Sequence, residues 1–401
     1  MELNAQERLK IGEVVEVEIG QVAHGGHFVA RYNNQVIFIR HGITGEKVKA
    51  KITAVNSKIA QADVIEVLTP ANQRVKPPCE YVGRCGGCDF QHIQIDFQRL
   101  LKKQVIIEQF LRIGKLDLIQ LGVELEVIGV EPANGLNWRT RMDFAVSDHG
   151  KIGLFGARSN EIVEIKDCLI ADERMKVAEL ANRSWRSNAR VEIAVSSSDE
   201  VSVIRSGRSI SGPTQLVEQV GENSFKISPT SFWQSHKAAA ALLVSTVLAS
   251  LEIRKTDHIC DLYAGVGLFA AALVKKLDSS GQVSMIESDK NAVADARKIF
   301  AKNSNVHIMQ GLVAQQLPSI KSADLIILDP PRTGAGDVVI KQIVRLKPRK
   351  IIYISCDPAS LARDTKTLID SGYKLDHIRG FDLFPMTQHI ECVAGFSPTI
   401  G

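Results

Sequence analysis

No apolar run in this chain is long enough to cross a membrane. The longest, residues 238–251, is interrupted by Ser245, Thr246 and Ser250, and it falls short of the roughly 20 apolar residues that a spanning helix needs. No secretory leader is expected either, because Met1 to Lys10 is polar and charged with no apolar stretch. Nor does one sign of charge dominate. Forty-nine Lys and Arg stand against 45 Asp and Glu, a net charge of +4, so a nucleic-acid partner is neither demanded nor forbidden and any basic surface has to be local. Internal repeats and low-complexity segments are absent. With 45% hydrophobic and 23% charged residues, collagen-like, coiled-coil and mostly disordered readings are excluded. A soluble cytoplasmic protein of two or three domains is expected from 401 residues. Its seven cysteines are poor candidates for disulfides in that setting, so any that cluster point to metal binding or catalysis.

Residues 11–68 read as five short strands. Residues 13–19, 35–39 and 46–52 alternate apolar and polar positions near period two, punctuated by Gly25-Gly26 and Gly42. Five strands in so short a span predict a small closed barrel over residues 1–68, because closure removes exposed strand edges. Barrels of this size often bind single-stranded nucleic acid, although eight basic and eight acidic residues make this one no basic clamp by composition. Pro70 and Pro77-Pro78 mark a boundary, and residues 91–114 have helical spacing that stops at Gly114. Residues 69–90 and 123–230 form an expected strand-rich central domain. Residues 91–122 and 231–401 form the third, where apolar strands at 258–262, 282–286, 325–328 and 351–354 alternate with helices. That rhythm predicts an α/β fold with a doubly wound, largely parallel sheet.

Strand 258–262 runs into Tyr263-Ala264-Gly265-Val266-Gly267, a turn that lets backbone approach a ligand at the carboxyl end of the sheet. Glu287 ends the next strand, where a carboxylate can accept hydrogen bonds from ribose hydroxyls. A third glycine is missing, which disfavours a dinucleotide. The third strand ends in Asp329-Pro330-Pro331-Arg332, a stiff lip because both prolines fix φ. Amino-group methyltransferases with similar lips carry a stacking aromatic where Arg332 stands, so methylation of an exocyclic amine is disfavoured. The fourth strand ends in Ser355-Cys356-Asp357-Pro358. Cys356 at that tip is the candidate nucleophile, whereas Cys260, inside a strand, reads as a buried structural thiol. Glu391, between apolar Ile390 and Cys392-Val393, is a candidate buried base with a raised pKa. A thiolate and a carboxylate on one rim suit a carbon that is first activated and then deprotonated.

Three cysteines, Cys79, Cys85 and Cys88, fall within ten residues around Gly86-Gly87. With Cys168 as a remote fourth, they supply four thiolates, a set that suits a [4Fe–4S] cluster or a structural zinc ion.

Together, Ser231-Phe232-Trp233-Gln234, residues 261–267, Glu287, Asp329-Pro330-Pro331-Arg332, Ser355-Cys356-Asp357-Pro358 and residues 384–391 resemble the RNA (uracil-5-)-methyltransferase family over nearly the whole chain. The 35-residue interval from Cys356 to Glu391 belongs to that pattern, and the N-terminal barrel resembles a TRAM domain. The resemblance implies a methyl transfer from S-adenosylmethionine to C5 of a uridine in RNA, with Cys356 adding at C6 and Glu391 removing the C5 proton. It implies that Gln234, Tyr263, Glu287 and Asp329 line the cofactor and base site, and that Cys79, Cys85, Cys88 and Cys168 hold a [4Fe–4S] cluster. Ribosomal RNA, 23S in particular, is the expected substrate, with tRNA or a non-catalytic RNA-binding role as alternatives. Leu268 and Gly311 stand where some relatives have polar residues, which leaves side-chain contacts to the cofactor open at those two positions and backbone contacts available. The target uridine is expected to be flipped out or unpaired, and Arg139, Arg141 and Arg158 are candidate phosphate contacts.

Overall fold

The computed structural model describes residues 8–56 and 58–399. Residues 1–7 and Ser57 of the expected barrel, and the last two residues of the chain, lie outside the described residues. Among the described residues no helix is long and apolar enough to cross a membrane.

Six strands, not five, build the first unit: Val14–Glu18, Val22–Ala23, His27–Tyr32, Gln35–Arg40, Lys47–Val55 and Ile59–Thr69. In the sheet the first strand neighbours the fifth, followed by the sixth, fourth, third and second. The additional strand has only two residues, too few to register as a period in the sequence. Gly20 donates to the carbonyl of Val29 and Val29 to that of Gln21 (2.8 and 2.9 Å), which curls the end of the first strand onto the third. Alternation along the strands sends Val15, Val17, Phe28, Ile37, Ile39 and Val48 into one apolar core. Each such side chain contributes about 2 kcal/mol when fully buried.

The C-terminal unit is built on an eight-stranded sheet. Its order is Val306–Gln310, Gln282–Glu287, His258–Leu262, Leu325–Leu328, Lys350–Ser355, Glu391–Pro398, Tyr373–Asp382 and Leu125–Gly129. The first five strands are mutually parallel, and Glu391–Pro398 runs antiparallel to both of its neighbours. Buried strands alternate between two cores. Leu325, Ile327, Ile352 and Ile354 pack with the helices Ala239–Ala249, Leu268–Val274 and Lys290–Ile299 on one face. Ile326, Leu328, Ile351 and Tyr353 pack with Gly336–Arg345 and Pro358–Asp370 on the other.

The strand Leu125–Gly129 corrects the expected domain boundary. Placed in the central domain by its sequence position, it pairs in parallel with Tyr373–Asp382 and closes the far edge of the large sheet. The helix expected over 91–114 begins later, at Ile95, because Ile93 is held in a bridge to Arg74. After Gln109 it widens into a π-helical turn, Phe110–Gly114. Leu101 packs into the barrel core and Ile106 and Phe110 into the sheet core, so this helix wedges the two units together.

Between them lies a six-stranded antiparallel sheet, in the order Ile162–Glu164, Ile152–Phe155, Arg141–Val146, Arg190–Val195, Val201–Arg205 and Arg208–Ser211, with a separate hairpin Leu216–Val220 and Asn223–Ile227. The Cys79–Cys88 loop is tied to this sheet. Gly86 donates to the carbonyl of Phe155 (3.0 Å), and the Tyr81 hydroxyl accepts from the backbone of Lys166 (2.8 Å).

Candidate active site

Parallel strands that share a direction end on one rim, and that rim gathers most of the chemistry-bearing residues. His258–Leu262, Leu325–Leu328 and Lys350–Ser355 deliver the Tyr263–Gly267 turn, Asp329 and Cys356 to it. Glu391 reaches the same rim from the opposite direction, as the first residue of an antiparallel strand. The last pair of that ladder joins Ser355 to Cys392, so one further step sets Cys356 beside Glu391. Antiparallel register thus closes the 35-residue interval. The loop 383–390 that leads into Glu391 is pinned from the wedge helix. Lys102 Nζ donates to Asp382 Oδ1 (2.5 Å) and to the carbonyl of Phe384 (3.0 Å), and Met386 donates to Gln98 Oε1 (2.9 Å).

Charge at the rim is poorly compensated. Glu391 is 4% exposed, and its Oε1 has no hydrogen-bond partner among the described residues. Burial, then the charge of Asp329, pushes its pKa well above the usual carboxylate range. Burial raises Asp329 to about 7. Cys356 is pushed up to about 12, first by burial and then by Glu391 and Asp329, while Arg332 pulls in the other direction. Arg332 in turn lies 3.3 Å from His389 Nε2. Both groups therefore hold their protons more tightly than free ones, and Glu391, once ionised, is a stronger base than an ordinary carboxylate.

Two cavities open onto this rim. One is lined by Cys356, Arg332, His24, Asp357, Gln388 and His389, among others. The second brings together Gln234, Tyr263 and Asp329 with Gly265, Phe232 and Trp233. Tyr263 holds a left-handed backbone (φ +61°) to start the turn. Gly267 follows at φ +91°, and a Cβ there would stand 2.5 Å from Phe300, so this turn accepts only glycine. Glu287 lies at the turn but uses its carboxylate on backbone: Oε2 accepts from Gly265 (2.8 Å) and Oε1 from Asp289 (2.6 Å). Leu268 lines the pocket, and Gly311 donates its backbone N–H to the carbonyl of Glu287 (2.8 Å).

The four expected ligand cysteines share a third cavity, with Met142, Leu154 and Ile165 among its walls. Burial raises Cys88 to about 12 and Cys168 to about 11, and the other thiols push in the same direction. No group of three His, Cys, Asp or Glu side chains among the described residues is arranged to hold a metal ion. The chemistry of the donors nevertheless fits a cationic group: buried thiols ionise only when a cation takes the charge. Cys260 is fully buried in its strand, as expected of a structural thiol.

Two of the candidate phosphate contacts are corrected. Arg141 is half-buried, paired with Glu218 (3.2 Å) and donating to the carbonyl of Pro229 (2.9 Å). Arg139 lies over the Trp138 ring and donates to the carbonyl of Arg141 (3.0 Å). Both guanidiniums are engaged inside the fold. Arg158 binds Gln61 and His27 of the barrel, which joins the central sheet to the first unit. Sequence reasoning missed His24, Lys102 and His389. His389 lies within the 384–391 motif but carries no assigned role there, whereas no motif marks His24 or Lys102, which packing between units brings to the rim.

Comparison with known proteins adds an independent view. Residues 213–396 match the family model described as tRNA (uracil-5-)-methyltransferase, and residues 8–65 match the TRAM domain. An uncharacterized RNA methyltransferase of Streptomyces coelicolor is 40% identical, over 97% of this chain and 93% of its own. Another, from Streptomyces avermitilis, is 41% identical over 97% and 99%. Among solved structures, the Pyrococcus abyssi tRNA (uracil-54, C5)-methyltransferase in complex with S-adenosyl-L-homocysteine superposes with a TM-score of 0.71 at 24% identity, covering 95% of this chain and 99% of that one. That likeness gives the fold: an α/β methyltransferase sheet preceded by a TRAM barrel.

Proposed function

The chain belongs to the RNA (uracil-5-)-methyltransferase family, and on that footing we propose that it methylates C5 of a uridine in RNA through a covalent Cys356 adduct, with S-adenosylmethionine as donor. The observation that carries this reading is the nearness of Cys356, one residue beyond the Ser355–Cys392 pair, to Glu391, a buried carboxyl with an unpartnered Oε1. Uracil C5 is a weak nucleophile. Cys356 adds at C6 as the thiolate, its proton leaving to solvent, and the electron pair displaced from the C5–C6 bond makes C5 carbanion-like. C5 then takes the methyl group, and S-adenosylhomocysteine leaves. Glu391 removes the C5 proton, the electron pair re-forms the C5–C6 bond, and Cys356 departs. A carboxylate with a raised pKa is the stronger base for that step.

Gln234, Tyr263 and Asp329 would line the donor's pocket, with Glu287 beside it, and the donor supplies an electrophilic methyl group there. Cys79, Cys85, Cys88 and Cys168 would hold a [4Fe–4S] cluster. The methyl transfer needs no electron, so the cluster's part is to shape the central domain. Ribosomal RNA, 23S in particular, is the proposed substrate, bound in the cytoplasm by the barrel and the central domain. The description of the matching family model favours tRNA as the second reading. Mass spectrometry of ribosomal RNA and tRNA from a strain lacking the gene decides between them. Loss of one 5-methyluridine from either pool fixes reaction and substrate, and retention of every 5-methyluridine, together with no transfer by the purified protein, overturns the reading.

A further inference from the structure

The barrel is pressed onto the catalytic lip. Gly26, at φ +75°, approaches the loop before Glu391 so closely that a Cβ there would stand 2.6 Å from Cβ of Gln388. Just beyond the barrel, Asp89 and Phe90 donate to the carbonyl of Met386 (3.0 and 2.9 Å). From the same barrel turn, His24 Nε2 lies 2.9 Å from Asp357 Oδ2. Asp357 directly follows the nucleophile, and its Oδ1 caps the helix Pro358–Asp370 by accepting from the backbone of Ser360 (2.8 Å). One carboxylate therefore serves two elements: one oxygen fixes the helix behind Cys356, and the other fixes the barrel. His24 also lines the cavity that contains Cys356 and Arg332.

We propose that His24 is a positioning residue for the methyl transfer: by donating to Asp357 it holds the Cys356 lip and couples barrel docking to the attack on uracil C6. The inference rests on the reaction proposed above. Its effect is one of geometry more than of folding. The His24 side chain is 40% exposed, and exposed ion pairs add little stability, whereas a displaced nucleophile costs up to about 100-fold in rate.

Three proteins test it: wild type, His24→Ala and His24→Gln, whose amide N–H can donate to Asp357 from nearly the position of the imidazole Nε2. Each is assayed with labelled S-adenosylmethionine and total RNA from a strain lacking the gene. For His24→Ala, kcat is expected to fall about 10-fold or more with KM for RNA unchanged, and His24→Gln should restore most of it. An unchanged kcat, a raised KM alone, or failure of the glutamine to rescue overturns the proposal. Amide hydrogen exchange at Ser360 and Leu361, which donate to the side chain and backbone of Asp357, supplies a readout independent of turnover. It should quicken in His24→Ala and not in His24→Gln, and equal rates in all three count against the positioning role. If the wild type transfers no methyl group, the reaction reading fails, and exchange alone then decides the fate of His24.

Discussion

Two sites in this protein hold half-buried thiols with the same electrostatic displacement and opposite surroundings. Cys356 is raised to about 12 and Cys88 also to about 12, and in both burial is the largest cause. Around Cys356 stand two carboxylates, a guanidinium and His389, groups that can move a proton or steady a charge. Around Cys88 stand three other thiols and the apolar walls of Met142, Leu154 and Ile165. A raised thiol is inert until something offsets the cost of ionising it. At the rim Arg332 and the approach of an electrophilic base do so; in the central domain a cation is required. The size of a pKa shift therefore identifies neither role, and the identity of the neighbours separates nucleophile from ligand.

Removing the thiol itself should break that comparison most completely. Cys356→Ala is expected to lower methyl transfer by about 10⁴-fold or more, the scale seen when a covalent nucleophile is deleted, and to abolish the covalent adduct with 5-fluorouridine RNA. Adduct formation by this variant would refute C6 addition by Cys356. Glu391→Gln comes next, with turnover down about 10²–10⁴-fold while the methylated adduct accumulates, because addition and methyl transfer precede the missing proton removal. The same change should stabilise the fold above about pH 5. A carboxyl raised above its ordinary 4.5 binds its proton more tightly folded than unfolded, so its contribution is full below 4.5 and is lost as pH rises towards the higher folded value. Tm of Glu391→Gln should thus exceed that of the wild type at about pH 8 and match it at about pH 4. A Tm equal to wild type at the alkaline end would show that the carboxylate is not strained.

Cys85→Ala addresses the other half of the comparison. It should remove the brown absorbance of the purified protein while lowering methyl transfer less than either rim variant. A colourless wild type, prepared without oxygen, would remove the cluster, and a loss equal to that of Cys356→Ala would show that the two thiol sites are one functional unit.

How much of this is legible in the sequence follows the range of each interaction. Buried strands of the large sheet announce themselves locally, since Leu325–Leu328 and Ile351–Ile354 are unbroken apolar runs with the flanking helices that parallel strands require. Cys356 and Glu391 carry their chemistry in residue type and motif, although only the antiparallel register sets them side by side. The sequence position of Leu125–Gly129 misleads because its partner, Tyr373–Asp382, lies at the other end of the chain and nothing local names it. Arg139 and Arg141 read as surface cations because arginine is seldom buried unless paired, and their partners, the carbonyl of Arg141 and the carboxylate of Glu218, emerge only from packing. His24 leaves no trace at all, since a single imidazole in a turn carries no period and no motif.

The smallest effect is expected at Arg332, and it asks whether charge or shape tunes the rim. The guanidinium opposes the carboxylates that raise the Cys356 pKa. Removing it in Arg332→Met should push that pKa higher still and shrink the thiolate fraction near neutral pH. If the shift is about one pKa unit, adduct formation slows about tenfold. Both pKa values lie above the pH at which the enzyme is assayed, so the deficit should be the same at every assay pH, and Arg332→Lys, which keeps the charge, should restore most of the rate. The measurement is the rate of adduct formation with 5-fluorouridine RNA, compared at one pH for the wild type, Arg332→Met and Arg332→Lys. A deficit in Arg332→Lys as large as that in Arg332→Met would mean that Arg332 places the uracil or its lip by shape and leaves the thiol's ionisation alone. The distinction between the two thiol sites would then rest on Glu391 and Asp329 without any help from a cation.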